Sequence, residues 1–219
     1  MPSETLRADH LHTHLGSKTK PIVLRTIQSQ DAPSHSAILN ASFPPSDPSS
    51  KGISVQRSRE LIEAQRASAA VPTVLSPDGL VVSGPGRVNM VVVLRAEDGQ
   101  EGDVVIGLGG FGAIKDWERD GKKIRAGDVG VVIAEEYRGE GYALEAMKMA
   151  IDWAFTPVKH GGPQMDLVTV TTLANNTAML RLTDEKLGLK GKGVLRDAEF
   201  GDPAGEMYYE LTAEEWDTQ

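Results

Sequence analysis

The chain has 219 residues, 40% of them apolar and 25% charged, with a net charge of −8 and no cysteine. That length supports one well-buried domain, alone or with extensions, and the acidic balance argues against a phosphate-backbone binder, which needs a basic face. Without thiols there is no disulfide, thiolate metal site or cysteine nucleophile, which fits a reducing, cytoplasmic setting.

No apolar run approaches the ~20 residues of a membrane helix, so no membrane partner is expected. Residues 1–20, "MPSETLRADHLHTHLGSKTK", lack an apolar core flanked by basic residues, so no secretory leader is expected either. They read as a flexible polar arm ahead of a single domain over residues 21–219. His10, His12 and His14 alternate within the arm, but no fourth ligand is in view and no metal is expected. "IVLRTI" (residues 22–27) reads as a first strand. Residues 31–43 read as a short helix capped by Asp31 or Ser34, and residues 44–52, "PPSDPSSKG", as a loop. Residues 54–70 place Leu61, Ile62, Gln65 and Ala69 at helical spacing.

The Pro/Gly-punctuated run over residues 71–87 predicts a hairpin or irregular crossing. Strands follow over residues 88–96 and 103–114, joined by the turn "EDGQEG". "KDWERDGKKIRAG" reads as a polar connection to a strand over residues 128–136, and a helix is predicted from about Gly139 to Phe155. Its apolar face is Ala143, Leu144, Ala146, Met147, Ala150, Ile151 and Ala154, with Gly141, Glu145, Lys148 and Asp152 on the polar stripe. A β-branched strand covers residues 165–173. A helix capped by Asn175 or Asn176 runs to Gly188. Two closing strands flank the turn "GDPAG", and Tyr208 and Tyr209 belong to the last. Strands in succession with a few helices, without strict βαβ alternation, predict an α+β layer fold.

Two glycine clusters compete as phosphate sites. Gly107, Gly109 and Gly112 fit G-x-G-x-x-G, and Glu135 and Glu136 lie where a ribose-binding acid would sit. A dinucleotide site there needs a helix opening at the glycines. The following residues make a poor helix, with Gly121 mid-run at a cost of about 1 kcal/mol relative to Ala. A bulged, glycine-rich strand is the simpler expectation. The second cluster, "RGEGYA" (residues 138–143), joins a strand directly to a convincing helix. Free N–H groups in that helix's first turn make an anion cradle, with Arg138 as a bidentate donor at its edge.

"VVIAEEYRGEGYALEAM" resembles the acetyl-CoA-binding motif of the GNAT superfamily of N-acetyltransferases, R/Q-x-x-G-x-G/A, at Arg138, Gly141 and Ala143. The closest likeness is to the ribosomal-protein-alanine (RimJ/RimL-like) branch. Asp128, Gly130 and residues 138–143 reproduce that branch's acidic residue, glycine and R-G-x-G-Y-A, and the asparagine-capped helix ending in "EKLG" is similar too. The likeness covers residues 128–193. Leu189 stands where phenylalanine is usual, a change of packing; Met179 stands where serine is frequent and one extra residue separates Asn176 from "EKLG", which puts a serine or tyrosine acid in doubt.

The resemblance implies a mixed, mostly antiparallel central sheet flanked by helices, with acetyl-CoA as co-substrate. It implies direct acetyl transfer to a primary amine, either a small molecule or a peptide N-terminus. Cofactor contacts would fall on Arg138, Gly139, Glu140, Gly141, Tyr142 and Ala143 at the phosphates, with the Glu140 side chain in solvent. Val131 and Ile133 would give main-chain contacts to the pantetheine arm. Val132 or a neighbour would hold the oxyanion, and Asn176 would sit near the thioester. Asp128 would be the base, acting through a water; alternatively it is a strand-start aspartate paired with Arg125 or Lys123. Tyr137, Trp117 and His160 are expected to serve packing or surface. Two other readings stand beside transfer: an inactive acyl-CoA-binding regulatory module, and a nicotinamide oxidoreductase built on the first cluster. The acidic surface suits a cationic acceptor, and the chain is expected as a monomer or homodimer.

Overall fold

The computed structural model describes residues 6–42, 52–96, 102–198 and 202–218. Its elements in order are β1 (Arg7–Ala8), β2 (His14–Gly16), β3 (Ile22–Thr26), α1 (Ala32–Ser42), α2 (Val55–Ala69), β4 (Thr73–Leu75), β5 (Val81–Ser83), β6 (Val88–Leu94), β7 (Val104–Arg119) and β8 (Lys122–Ile133). Then come α3 (Tyr142–Phe155), β9 (Leu167–Leu173), α4 (Thr177–Arg181), β10 (Val194–Arg196), β11 (Glu206–Thr212) and α5 (Ala213–Asp217). Eight strands form one sheet in the order β10-β11-β9-β8-β7-β6-β3-β2. Every neighbouring pair is antiparallel except β8 and β9. This is the α+β, mostly antiparallel layer fold that the sequence predicts.

The sheet is buried on both faces because its central strands are apolar on both. In β6, Val88, Met90 and Val92 join the core under α3, while Val91 and Val93 pack with Ile62 of α2 and Ala32 of α1. Met147, Ala150, Ile151 and Ala154 are the buried seam of α3, as their spacing predicts. Ser54 caps α2 by accepting from Arg57 N, and Asn176 caps α4 by accepting from Met179 N. The loop expected over residues 44–52 and the turn "EDGQEG" lie outside the described residues except for Gly52 and Gly102, as does the start of "GDPAG".

Two expectations meet a different structure. The polar connection over residues 115–127 is instead the far end of a long β7–β8 hairpin, closed by Asp120 and Gly121 at φ 52° and 71°. Two successive positive φ values make the two-residue Asp-Gly turn whose twist matches paired strands. The many charges there pair across the ladder. Arg125 and Lys123 both reach Asp116, at 2.8 and 2.9 Å, and Arg125 donates to the Pro85 carbonyl at 2.7 Å.

The stretch expected as an arm is paired and packed over residues 7–16. β1 pairs with β4 and β2 with β3. His10 is fully buried, with Nε2 2.7 Å from Thr73 Oγ1 and its ring edge-on to Trp153 at 5.2 Å. Residues 1–5 lie outside the described residues.

Candidate active site

The parallel register of β8 and β9 runs only from Ala126↔Leu167 to Asp128↔Thr169. Beyond it β8 pairs with β7 alone and β9 with β11 alone, so the sheet splits toward the C-terminal ends of both strands. Among the described residues, one edge of residues 129–133 is left without a strand partner. Such a gap at the C-terminal ends of adjacent parallel strands is where α/β sheets take ligands.

β8 leads through a single 3-10 turn, Glu135–Tyr137, into the second glycine cluster and α3. Gly139 and Gly141 have φ of 87° and 80°, conformations that glycine adopts without cost. Gly141 is the N-cap of α3 and supplies no side-chain hydrogen bond, so the first-turn N–H groups stay available to an anion. Arg138 donates from Nε to the Ile133 carbonyl at 2.9 Å, which ties the turn to the strand end. Glu140 is exposed, as expected. Sequence reading missed Lys20. The Ser17 hydroxyl donates to Glu145 of α3, which seats the β2–β3 turn on the helix start. Lys20 Nζ then lies 3.8 Å from where a Gly141 Cβ would be. The cradle therefore has two neighbouring cations.

The first glycine cluster lies inside β7, and the chain runs on as strand to Arg119. The helix a dinucleotide site needs is absent, which removes the nicotinamide reading. Two of these glycines answer to backbone crowding. A Cβ on Gly107 would stand 2.6 Å from the Val132 carbonyl oxygen. Gly110 has φ 86°, and a Cβ there would stand 2.5 Å from the Val88 carbonyl. Gly112 is the extra residue of a bulge between Phe111 and Ala113, opposite β8.

Asp128 is not paired with Arg125 or Lys123. Its Oδ1 accepts from the hydroxyls of Thr169 at 3.0 Å and Thr171 at 2.8 Å, both on β9. Burial pushes its carboxyl above the ordinary carboxylate range, opposed by those two hydrogen bonds. Oδ2 has no partner among the described residues. Asp128 lines a cleft of about 320 Å³ between the sheet and α1/α2, together with Gly130, Val131 and Val132. The same cleft reaches His35, Gln65 and Asn89. None of these three is a sequence-predicted site residue; the one local signal is Asn89, a lone amide in an otherwise apolar strand. His35 is buried on α1, with Nδ1 3.0 Å from Ser58 Oγ, and burial lowers its pKa.

Asn176 lies just past the end of β9, at the same end of the gap as the glycine turn. Tyr142 and Ala143 open α3, half-buried against the core. Tyr137 packs beside them, and His160 is exposed. The edge of β8 thus runs from Asp128 toward the glycine turn, and Asn176 follows β9 at the same end of the gap.

Residues 22–190 match the family model described as an acetyltransferase (GNAT) domain. Comparison with curated protein sequences finds no match. Among solved structures, the chain is similar to Mycobacterium smegmatis RimJ in complex with CoA-disulfide, at 19% identity over 93% of this chain and 88% of that one, with TM-score 0.58. It is similar to the ribosomal-protein-S5-alanine acetyltransferase of Vibrio fischeri at 17% identity, over 93% and 98%, with TM-score 0.55. A Salmonella typhimurium acetyltransferase solved with acetyl-CoA matches at 15% identity, over 88% and 94%, with TM-score 0.51. At these identities the likeness is one of fold.

Proposed function

The chain belongs to the acetyltransferase (GNAT) domain family and is an acetyl-CoA-dependent acyltransferase, and we propose that it moves the acetyl group directly onto a primary amine, of a small molecule or a peptide N-terminus. The observation that carries this is the unpaired edge of residues 129–133, which leads from Asp128 straight into the glycine turn before α3. An extended molecule with a phosphate at one end fits that line. Its amides would meet the main chain of Val131 and Ile133. Its phosphates would meet the N–H groups of residues 139–143, with Arg138 and Lys20 beside them and Asn176 across the gap. Acetyl-CoA supplies the thioester carbonyl when bound.

An ammonium cannot attack, so a proton must first leave. Asp128 is the base in this reading. Its raised pKa makes the ionised carboxylate a better proton acceptor, and two threonines hold it in place. An aspartate this deep in the strand reaches the amine through a water. The N–H of Val132 or a neighbour would hold the oxyanion that develops as the amine adds, a contribution of about 3 kcal/mol when aligned. The acyl–sulfur bond then breaks and the thiolate takes up a proton. With no cysteine in the chain, no acetyl-thioenzyme intervenes. The net acidic charge favours a cationic acceptor. The likeness to a protein named for acetylating a ribosomal-protein alanine supports a peptide N-terminus among the candidates.

Calorimetric titration with acetyl-CoA tests the cradle, with Arg138→Ala and Lys20→Ala beside the parent chain and NADH as control. Micromolar binding that weakens about tenfold in each variant is expected, in keeping with a charge-assisted phosphate contact. Acetyl-CoA giving no heat, or equal affinity in all three chains, would refute it.

A further inference from the structure

We propose that the cleft over Gly112 and Gly130 selects a singly charged primary amine flanked by neutral hydrogen-bond donors, and that Gln65 and Asn89 are the residues that read those donors; the inference rests on the amine-transfer reading above. The first ground is empty space. Unlike Gly110, neither Gly112 nor Gly130 has a positive φ, and unlike Gly107 and Gly110, a Cβ on either would meet nothing within 4 Å. Neither strain nor crowding calls for glycine there, and glycine in a strand interior costs stability. Register places Asn89 opposite Gly110 and Gly110 opposite Gly130, a row across three strands whose last two members have no side chain. The side chains missing at Gly112 and Gly130 leave open the floor of the cleft that Asn89 also lines.

The second ground is a pair of unanswered acceptors. Asn89 Oδ1 and Gln65 Oε1 are both buried and without a hydrogen-bond partner, on β6 and α2, and both residues line the cleft. Buried acceptors left unpaired are rare and destabilising, so each calls for a donor that the folded chain does not supply. Turning either carboxamide toward the cleft it lines would present that oxygen to an N–H or O–H beside the amine of a bound acceptor, which would supply the donor.

The third ground is the charge inventory. Among the described lining residues, Asp128 is the one carboxylate and there is no lysine or arginine. His35 is held neutral by burial, and the remaining wall is apolar, with Ile27, Leu39, Leu61, Met90 and Leu108 its largest side chains. One carboxylate answers one ammonium. A second ammonium, as in a polyamine, would be desolvated without a counter-charge. A diphosphate, as in a nucleotide-linked amine, would find no cation.

Thiol release from acetyl-CoA would be followed with three acceptors: a tripeptide amide with uncharged side chains and a free N-terminus, spermidine, and a UDP-linked amino sugar. The tripeptide is expected to have the highest kcat/KM, by tenfold or more. Gln65→Met and Asn89→Leu are each expected to raise its KM about tenfold while leaving KM for acetyl-CoA unchanged. Each should also raise Tm by roughly 2–4 °C, because an orphaned buried acceptor is gone; a merely structural amide would lower it. Preference for spermidine or the sugar nucleotide would overturn the inference while leaving amine transfer intact. So would variants that keep the peptide KM or melt earlier. Binding of acetyl-CoA with no turnover of any acceptor would overturn both.

Discussion

Glycine-to-alanine substitutions along β7 and β8 should sort into two opposite classes. At Gly110 the backbone sits at φ 86°, and the new methyl would stand 2.5 Å from the Val88 carbonyl oxygen and 2.9 Å from Met90 Cγ. A non-glycine residue in such a conformation costs on the order of 1–3 kcal/mol before the clash is counted. For a chain of this size that lowers Tm by at least 2–4 °C per kcal/mol. At Gly130 the methyl meets nothing within 4 Å and no positive φ is involved. Removing glycine's excess chain entropy then stabilises by roughly 0.5–1 kcal/mol, so Gly130→Ala should melt higher than the parent. The same methyl projects into the cleft beside Asp128, where an ångström of misplacement can cost up to about 100-fold in rate. Scanning calorimetry and steady-state thiol release on the two variants check both halves. A Gly130→Ala chain that melts lower, or that melts higher and acetylates its acceptor at the parent rate, would refute the assignment of open space to substrate.

Asp128→Asn should lower kcat/KM by roughly 10²–10⁴-fold, the usual worth of a positioned base. The ionised carboxylate is the active form, so parent activity should rise with pH through a pKa raised above the ordinary aspartate value, and pH–rate profiles should show that limb missing in the variant. The His10 pKa is lowered to about 4, by burial first, while Asp9 opposes the shift and Arg125 adds to it. The unfolded chain therefore binds this proton more tightly than the folded one. Stability is intact above about 6.5 and falls as pH drops toward about 4, by at most roughly 3 kcal/mol. His10→Gln should flatten that part of a Tm-against-pH curve, and an unchanged slope would count against the burial argument. Asn176→Ala removes the side-chain cap of α4 and should lower Tm by about 2–4 °C, the effect of roughly 1 kcal/mol.

Local periodicity made most of the fold legible. α3 follows from its apolar seam and Gly141, α2 from Ser54 and the Ile62–Ala69 face, and β6 from its valine run. The glycine turn was legible because strand, turn and helix are contiguous. What stayed hidden depends on partners distant in sequence. The outer β7–β8 hairpin looks like a loop because its charges, Asp116, Lys123 and Arg125, are satisfied only once the strands pair. His10 looks like a tail histidine until Thr73 and Trp153 close on it. Asp128 takes its threonines from the strand that α3 carries back alongside. Gln65 reads as one more residue of a helical stripe, and only the fold shows its carbonyl buried with nothing to accept from.

The joint between β8 and β9 rests on three register pairs, against seven between β9 and β11. The sheet is therefore two leaves sewn together along a short seam. Contiguous units of this kind open separately, so in the free protein the amide protons of β9 and β11 should exchange as one set, distinct from those of β3, β6 and β7. A molecule lodged in the gap would act as a rivet. Its presence would be felt as slowed exchange across the whole smaller leaf, out to β11, which pairs with no residue of β8.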